Sequence, residues 1–217
     1  MPEPPIIFSA PMIRALIAGR KIQTRRMPQP TPAGDGLWHF HNRWGGISQA
    51  HQEALTSYIV DAAARYAVGD RLWVRENWQT YSILDSDAPS ALTGIRIWYG
   101  ADEGYKPPSK VRPSIHMPRW ASRLTLTVTG VKVERLQDIS EEDARAEGVH
   151  PAAVYGGQAQ SWLPAGDLRE TFHLTAKEAF KDLWGRINGP ESWEANPWVV
   201  AVSFEVRRGN IDSLGEQ

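Results

Sequence analysis

The chain has 217 residues, with 24 Lys and Arg against 25 Asp and Glu for a formal charge of -1, ten tryptophans and no cysteine. That length suffices for one sizeable core, and the even charge balance supplies no global field toward nucleic acid or anionic lipid, so any basic site must be local. The lack of cysteine excludes disulfides, thiolate catalysis and thiolate metal ligation together.

The opening MPEPPIIFSAP carries an acid and prolines where a secretory signal would carry basic residues and a long apolar run. No segment has the apolar length of a membrane span. A cytoplasmic protein with no membrane partner is expected. Ser9 is placed to cap a helix over 10–18, with Met12, Ile13, Leu16 and Ile17 on one face and Gly19 at its C-terminal end. RKIQTRR then reads as an extended or turning segment. Residues 28–66 read as an insertion holding one helix, SQAHQEALTSYIVDAAARY.

VGDRLWVRENW is the clearest strand, with Leu72 and Val74 alternating against Arg71, Trp73 and Arg75. Residues 79–94 read as a loop, GIRIWYGA as a strand, and EGYKPPSKVRPS as a proline-rich connection. RLTLTVTGVKVERL, broken at Gly130, predicts two strands or one bulged strand. DISEEDARAEGVH predicts a short helix capped by Ser140, with acids in its first turn and Gly148 at its end. Residues 149–172 read as loop. TAKEAFKDLWGRINGP repeats the grammar, with Thr175 and Glu178 as a capping box and Phe180, Leu183, Trp184 and Ile187 on one face. NPWVVAVSFEV closes as a buried strand. This order predicts a single α+β domain over 1–217 built on a small, partly closed β-barrel, with insertions at about 28–66, 79–112 and 149–172.

Charge is unevenly spread. Residues 10–34 hold five basic side chains (Arg14, Arg20, Lys21, Arg25, Arg26) and no acid, and residues 106–135 hold seven against the single acid Glu134. If both segments line one face, a near-neutral protein acquires a positive groove for a phosphodiester or a polarised heterocycle. The six histidines are scattered and only HFH has suggestive spacing, so neither a metal site nor a cofactor is expected.

AGRKIQTRR, VGDRLWVRE, LQDISEEDARAEGV and NPWVVAVSFEV, in that order, resemble the ASCH family, the activating signal cointegrator homology domains of the PUA-like superfamily. The phage and prophage group of that family is the most similar, carrying segments like SIHMPRWASR and FKDLWGRINGPESWEANPW. The resemblance implies a small β-barrel with helices around a cleft that takes RNA or a modified nucleotide. One bacterial branch is known as N(4)-acetylcytidine amidohydrolase and uses a lysine, a threonine and a glutamate. Matched motif by motif, these are Lys21, Thr24 and Glu147 here. The long insertions at 28–66 and 79–112 depart from the minimal domain.

Amide hydrolysis needs a nucleophile, a base and a stabiliser of the oxyanion. Thr24 would be the nucleophile. Lys21 would be the base, its pKa lowered by burial and by Arg20, Arg25 and Arg26. Glu147 would orient the lysine or carry the proton for the leaving amine, with Glu76 as the competing acid. Arg20, Arg25, Arg26, Arg75 and Glu76 are candidate substrate contacts, Trp73 and Trp78 candidate stacking platforms, and His116 and Arg119 candidate residues of the cleft wall. One geometric demand follows. On a straight strand residues three apart face opposite ways, so Lys21 and Thr24 meet only if the chain bends at Ile22 and Gln23. Two alternatives stand beside hydrolysis: an RNA-binding or modified-base-reading module, in which the cations grip phosphates and Thr24 is an ordinary β-former, and a ribonuclease, in which a lysine and an acid share proton transfer at a 2′-hydroxyl. The partner is then RNA or a modified nucleoside, and no protein partner is implied.

Overall fold

The computed structural model describes residues 3–27, 31–34, 37–41, 47–51, 66–155, 158–165 and 171–214. In chain order the elements are β1 (Pro5–Ile7), α1 (Ala10–Ile17), β2 (Gln23–Arg26), β3 (Thr31–Gly34), β4 (Leu37–His41), β5 (Ile47–His51), β6 (Arg71–Arg75), β7 (Trp78–Gln79), β8 (Trp98–Tyr99), β9 (Leu124–Arg135), α2 (Glu141–Ala146), β10 (His150–Tyr155), β11 (Gln158–Leu163), α3 (Ala176–Asn188) and β12 (Trp198–Arg208). The class is α+β, and among the described residues no helix is long and apolar enough to cross a membrane.

The central sheet has five strands in the order β1-β6-β9-β12-β2, parallel between β1 and β6 and antiparallel elsewhere. β9 and β12 form its spine. Their register slips between Ser203 and Phe204, whose partners are Gly130 and Val128, so Thr129 is an extra residue in β9. The expectation of one bulged strand thus holds, and the bulge falls beside the glycine, where twist increases most readily. β6 pairs with Thr125–Thr127 at the start of β9, and β2 pairs with Val200–Ser203 at the start of β12. The two flanking strands therefore grow from opposite ends of the spine. Among the described residues no backbone ladder closes the sheet; its edges are joined by a side chain, Arg26 Nη2 donating to the Ile7 carbonyl at 2.7 Å.

α1 buries Ile13 and Leu16 against Leu72, Val74, Leu126, Val202 and Phe204, each worth about 1.5–3 kcal/mol on removal from water. Ser9 stands at its N-cap but makes no side-chain cap; its carbonyl accepts from Ile13 N at 2.9 Å instead. A second core lies on the other side of β12, where Phe180, Leu183 and Trp184 of α3 meet Val199, Leu136, Ile139 and Trp193. Ile187, expected on that face, is 56% exposed. The two caps written into the sequence form as read. Ser140 Oγ accepts from Asp143 N at 3.0 Å, and Thr175 and Glu178 bond reciprocally. In addition Glu141 of α2 accepts from the Ala176 and Lys177 amides at 2.8 and 3.2 Å, so one helix supplies the anion for the N-terminus of the next.

Three expectations are corrected. Residues 150–163, read as loop, form the β10–β11 hairpin; backbone pairing carries its small residues into strands that local propensity disfavours. β5 occupies residues where the helix of the first insertion was expected to begin, its backbone being taken up by β4; the remainder of that expected helix, to residue 65, lies outside the described residues. GIRIWYGA yields only the two-residue β8, paired with β7, because Gly100 turns back to donate to the Asn77 carbonyl at 2.6 Å.

α2 ends at Gly148, whose φ of +100° suits glycine alone. A Cβ there would stand 3.3 Å from Lys21 Cβ and 3.4 Å from the Cβ atoms of Ala15 and Ala165. Gly148→Ala should therefore destabilise the protein by about 1–3 kcal/mol, measured by denaturant unfolding, because backbone strain and crowding act together. An unchanged midpoint would show that the turn adapts freely.

Candidate functional site

Between α1 and β2 the chain changes partners twice. Lys21 N still donates to Ala15 O at 3.2 Å, closing α1, while Lys21 itself bridges Glu147. Ile22 N donates to Ala146 O at 2.9 Å and Ile22 O accepts from Phe204 N at 2.9 Å, after which β2 begins at Gln23. This hand-over from the end of α2 to β12 is the departure from a straight strand that the Lys21–Thr24 pair requires. Its effect is visible at Phe8, whose ring centre lies 5.8 Å from Lys21 Nζ and 5.3 Å from Arg26 Cζ. Arg26 shares a strand face with Thr24, so Phe8 is approached both by Lys21 and by that face of β2.

Lys21 has no solvent exposure. Its Nζ donates to Glu147 Oε2 at 2.7 Å and to the Glu147 backbone carbonyl at 2.9 Å, across 126 positions of sequence. Burial lowers its pKa from the ordinary 10.5, opposed by the Glu147 carboxylate and reinforced by Arg26 and Arg25. Both acceptors of the Lys21 amine thus belong to one residue, Glu147. Glu147 Oε1 in turn accepts from Arg25 Nη1 at 3.2 Å.

Thr24 is 4% exposed, and its hydroxyl has no hydrogen-bond partner among the described residues. It lines a cavity of about 340 Å³ together with Glu147, Arg26, Phe180, Trp184 and Asn188, while Lys21 stands one layer behind Glu147. Thr24 and Glu147 thus line one cavity, and a buried amine backs the carboxylate. Aromatic and aliphatic side chains of α3 make the facing wall.

The remaining candidates are elsewhere or otherwise engaged. Arg25 is buried and bonded to Glu134, Asp143, Glu147 and Gln23. Arg20 is exposed, beside His150, whose pKa is lowered by burial and by that cation. Glu76 is 2% exposed and takes a two-pronged bond from Arg123 at 2.8 and 3.0 Å; burial raises its pKa in spite of that cation. Its partner is thus neither Arg71 nor Arg75, and it does not line the cavity of Thr24. Trp78 is wholly buried with Leu92, Met117 and Ala121, so neither of its faces is open to stack on a base. Trp73 is buried too, with the Arg75 guanidinium 4.4 Å from its ring centre. His116 is exposed on a 3₁₀ turn, Ser114–His116. Arg119 is tied to Glu3 and to Asp212 at 3.0 Å, fastening the two ends of the described chain.

The positive groove is not assembled by these residues. Of the two basic segments, Lys21, Arg25, Arg119, Arg123 and Lys132 pair with carboxylates, and Arg112 is buried with its guanidinium on the Leu84 and Asp87 carbonyls. Residues that sequence reading passed over do contribute to the site: Gln23, Asp143 and Glu134 frame Arg25, and Asn188 stands on the cavity wall. Glu134 did carry a signal as the lone acid among seven basic residues. Among the described residues no three His, Asp or Glu side chains converge as a metal site.

A lysine with a lowered folded-state pKa is protonated more readily when unfolded, so its contribution to stability is full above 10.5 and is lost as the pH falls through the folded value. Glu147→Gln removes the carboxylate that opposes this lowering and extends the window downward. The variant should lose about 3 kcal/mol near neutral pH and regain part of it as the pH rises toward 10.5, read from denaturant midpoints along a pH series. A loss independent of pH would show that Lys21 does not titrate in this range.

Comparison with protein-family models, with curated proteins and with solved structures finds no match to this chain.

Proposed function

We propose that the chain is an ASCH-type domain with a PUA-like, partly closed barrel, and that it hydrolyses the amide of an N(4)-acylated cytidine or a related modified nucleoside. The observation that carries this reading is the buried Lys21–Glu147 contact at the wall of a cavity that also presents the unpartnered Thr24 hydroxyl. Sequence resemblance alone had singled out these three residues from two separate stretches. The joining of the sheet edges through Arg26 rather than a ladder supports an incompletely closed barrel.

Chemically, Thr24 Oγ1 attacks the acyl carbonyl and gives its proton to the Lys21–Glu147 pair. The C–N bond then breaks, the pair returns the proton to the departing exocyclic nitrogen, and an acyl ester remains on Thr24. Water, deprotonated by the same pair, cleaves that ester and restores the hydroxyl. Arg26 is the cation on the cavity wall that keeps N–H groups beyond its bond to Ile7, and it suits the developing oxyanion. Phe180 and Trp184 offer flat apolar surface to the pyrimidine or the acyl group. The pairing of Lys21, Arg25, Arg119, Arg123 and Lys132 with carboxylates favours this reading over a phosphate-gripping clamp.

Cytidine release from N(4)-acetylcytidine by purified protein tests the proposal. Thr24→Val, which keeps shape but removes the hydroxyl, should lower kcat/KM at least about a thousandfold, and Thr24→Ser should retain measurable turnover. The wild-type rate should rise with pH through an inflection below 10.5. Equal rates for wild type and Thr24→Val would remove Thr24 as nucleophile, and no release by wild type would remove the hydrolysis.

A further inference from the structure

A guanidinium has five N–H donors, and at Arg25 each has an acceptor. Nε and Nη2 converge on Glu134 Oε1 at 3.1 and 2.6 Å, Nη2 also bonds Asp143 Oδ2 at 3.1 Å, and Nη1 bonds Gln23 Oε1 at 2.6 Å and Glu147 Oε1 at 3.2 Å. Its side chain is 1% exposed. Arg25 borders the cavity, yet no N–H is left for a ligand. Phe180 lies 5.7 Å from its Cζ and closes the remaining approach. The acceptors come from β2, β9 and α2, so the fork ties three elements to the carboxylate that faces Lys21. The carboxylate is held at both ends: Oε1 by Arg25 and Oε2 by Lys21.

We propose that Arg25 is a positioning residue of the site, one that fixes the Glu147 carboxylate against Lys21 without touching the substrate. This rests on the hydrolytic reading above and adds a role to it. The charged groups facing Lys21 are Glu147 directly and the Arg25 and Arg26 cations of β2; Asp143 of α2 and Glu134 and Lys132 of β9 surround Arg25. Removing the Arg25 charge takes a cation from beside Lys21 and leaves Glu147 to act on the lysine alone, and both changes make the ammonium easier to keep. Replacing the fork by an ammonium keeps the charge and loses the geometry.

The two substitutions therefore separate. Arg25→Gln should lower kcat about tenfold to a hundredfold with KM held within about twofold, and should move the alkaline inflection of the rate upward by about one pH unit. Arg25→Lys should lower kcat with KM again unchanged, and leave the inflection near that of wild type. Titration of Lys21 by NMR of ¹³C-labelled lysine reads the same displacement without turnover. A rise in KM at constant kcat would overturn the proposal in favour of substrate contact. A lower melting temperature with an unmoved inflection and an unmoved NMR titration would reduce Arg25 to a structural strut. If wild type releases no cytidine, hydrolysis fails, and an unmoved titration then overturns this role as well; if wild type turns over and only the displacement is missing, this role alone fails. Should Arg25→Gln not fold, the kcat and KM of Arg25→Lys decide.

Discussion

Taking an ammonium and a carboxylate out of water costs several kcal/mol per ion, and the Lys21–Glu147 pair meets that cost with geometry. The lysine finds two acceptors on one residue, and the carboxylate finds a second cation in Arg25. Everything else about the site follows from where Glu147 is delivered. Gly148 lets the chain leave α2 close against Lys21, the Ser140 cap starts the helix at the right residue, and the hydrogen bonds of Ile22 pin the incoming strand to both α2 and β12. Breaking any of these moves one half of the pair relative to the other.

β2 shows how a four-residue strand serves two purposes. Alternation sends Arg25 and Gln23 toward the acids of β9 and α2, and Thr24 and Arg26 toward Phe8 and the first core. Because both faces are occupied, Gln23, Thr24 and Arg25 are all buried, a run that looks strongly polar in sequence and behaves as interior in the fold. On the polar side every N–H of the Arg25 guanidinium has an acceptor. On the other side the Thr24 hydroxyl has no hydrogen-bond partner among the described residues and lines the cavity.

Features with local causes were legible in the sequence: both side-chain caps, the glycine stops, the amphipathic α1 and α3, and the bulge beside Gly130. Resemblance singled out Lys21, Thr24 and Glu147, of which the structure brings Lys21 and Glu147 into contact and sets Thr24 and Glu147 on one cavity. What escaped depends on distant partners. Arg25 and Glu134 are 109 positions apart, so a count of charges along the chain saw a basic patch where the folded protein has a neutralised cluster. Trp78 was a candidate stacking platform; its burial is decided by Leu92, Met117 and Ala121, all supplied by later segments. The β10–β11 hairpin escaped because backbone pairing overrode small side chains.

Lys21 grips Glu147 twice, once through the carboxylate and once through the main-chain oxygen. The second grip does not depend on which amino acid occupies position 147. A chain that exchanged the glutamate there would keep an anchor between the two segments while giving up the acid, so architecture and side-chain chemistry can drift apart at this single residue.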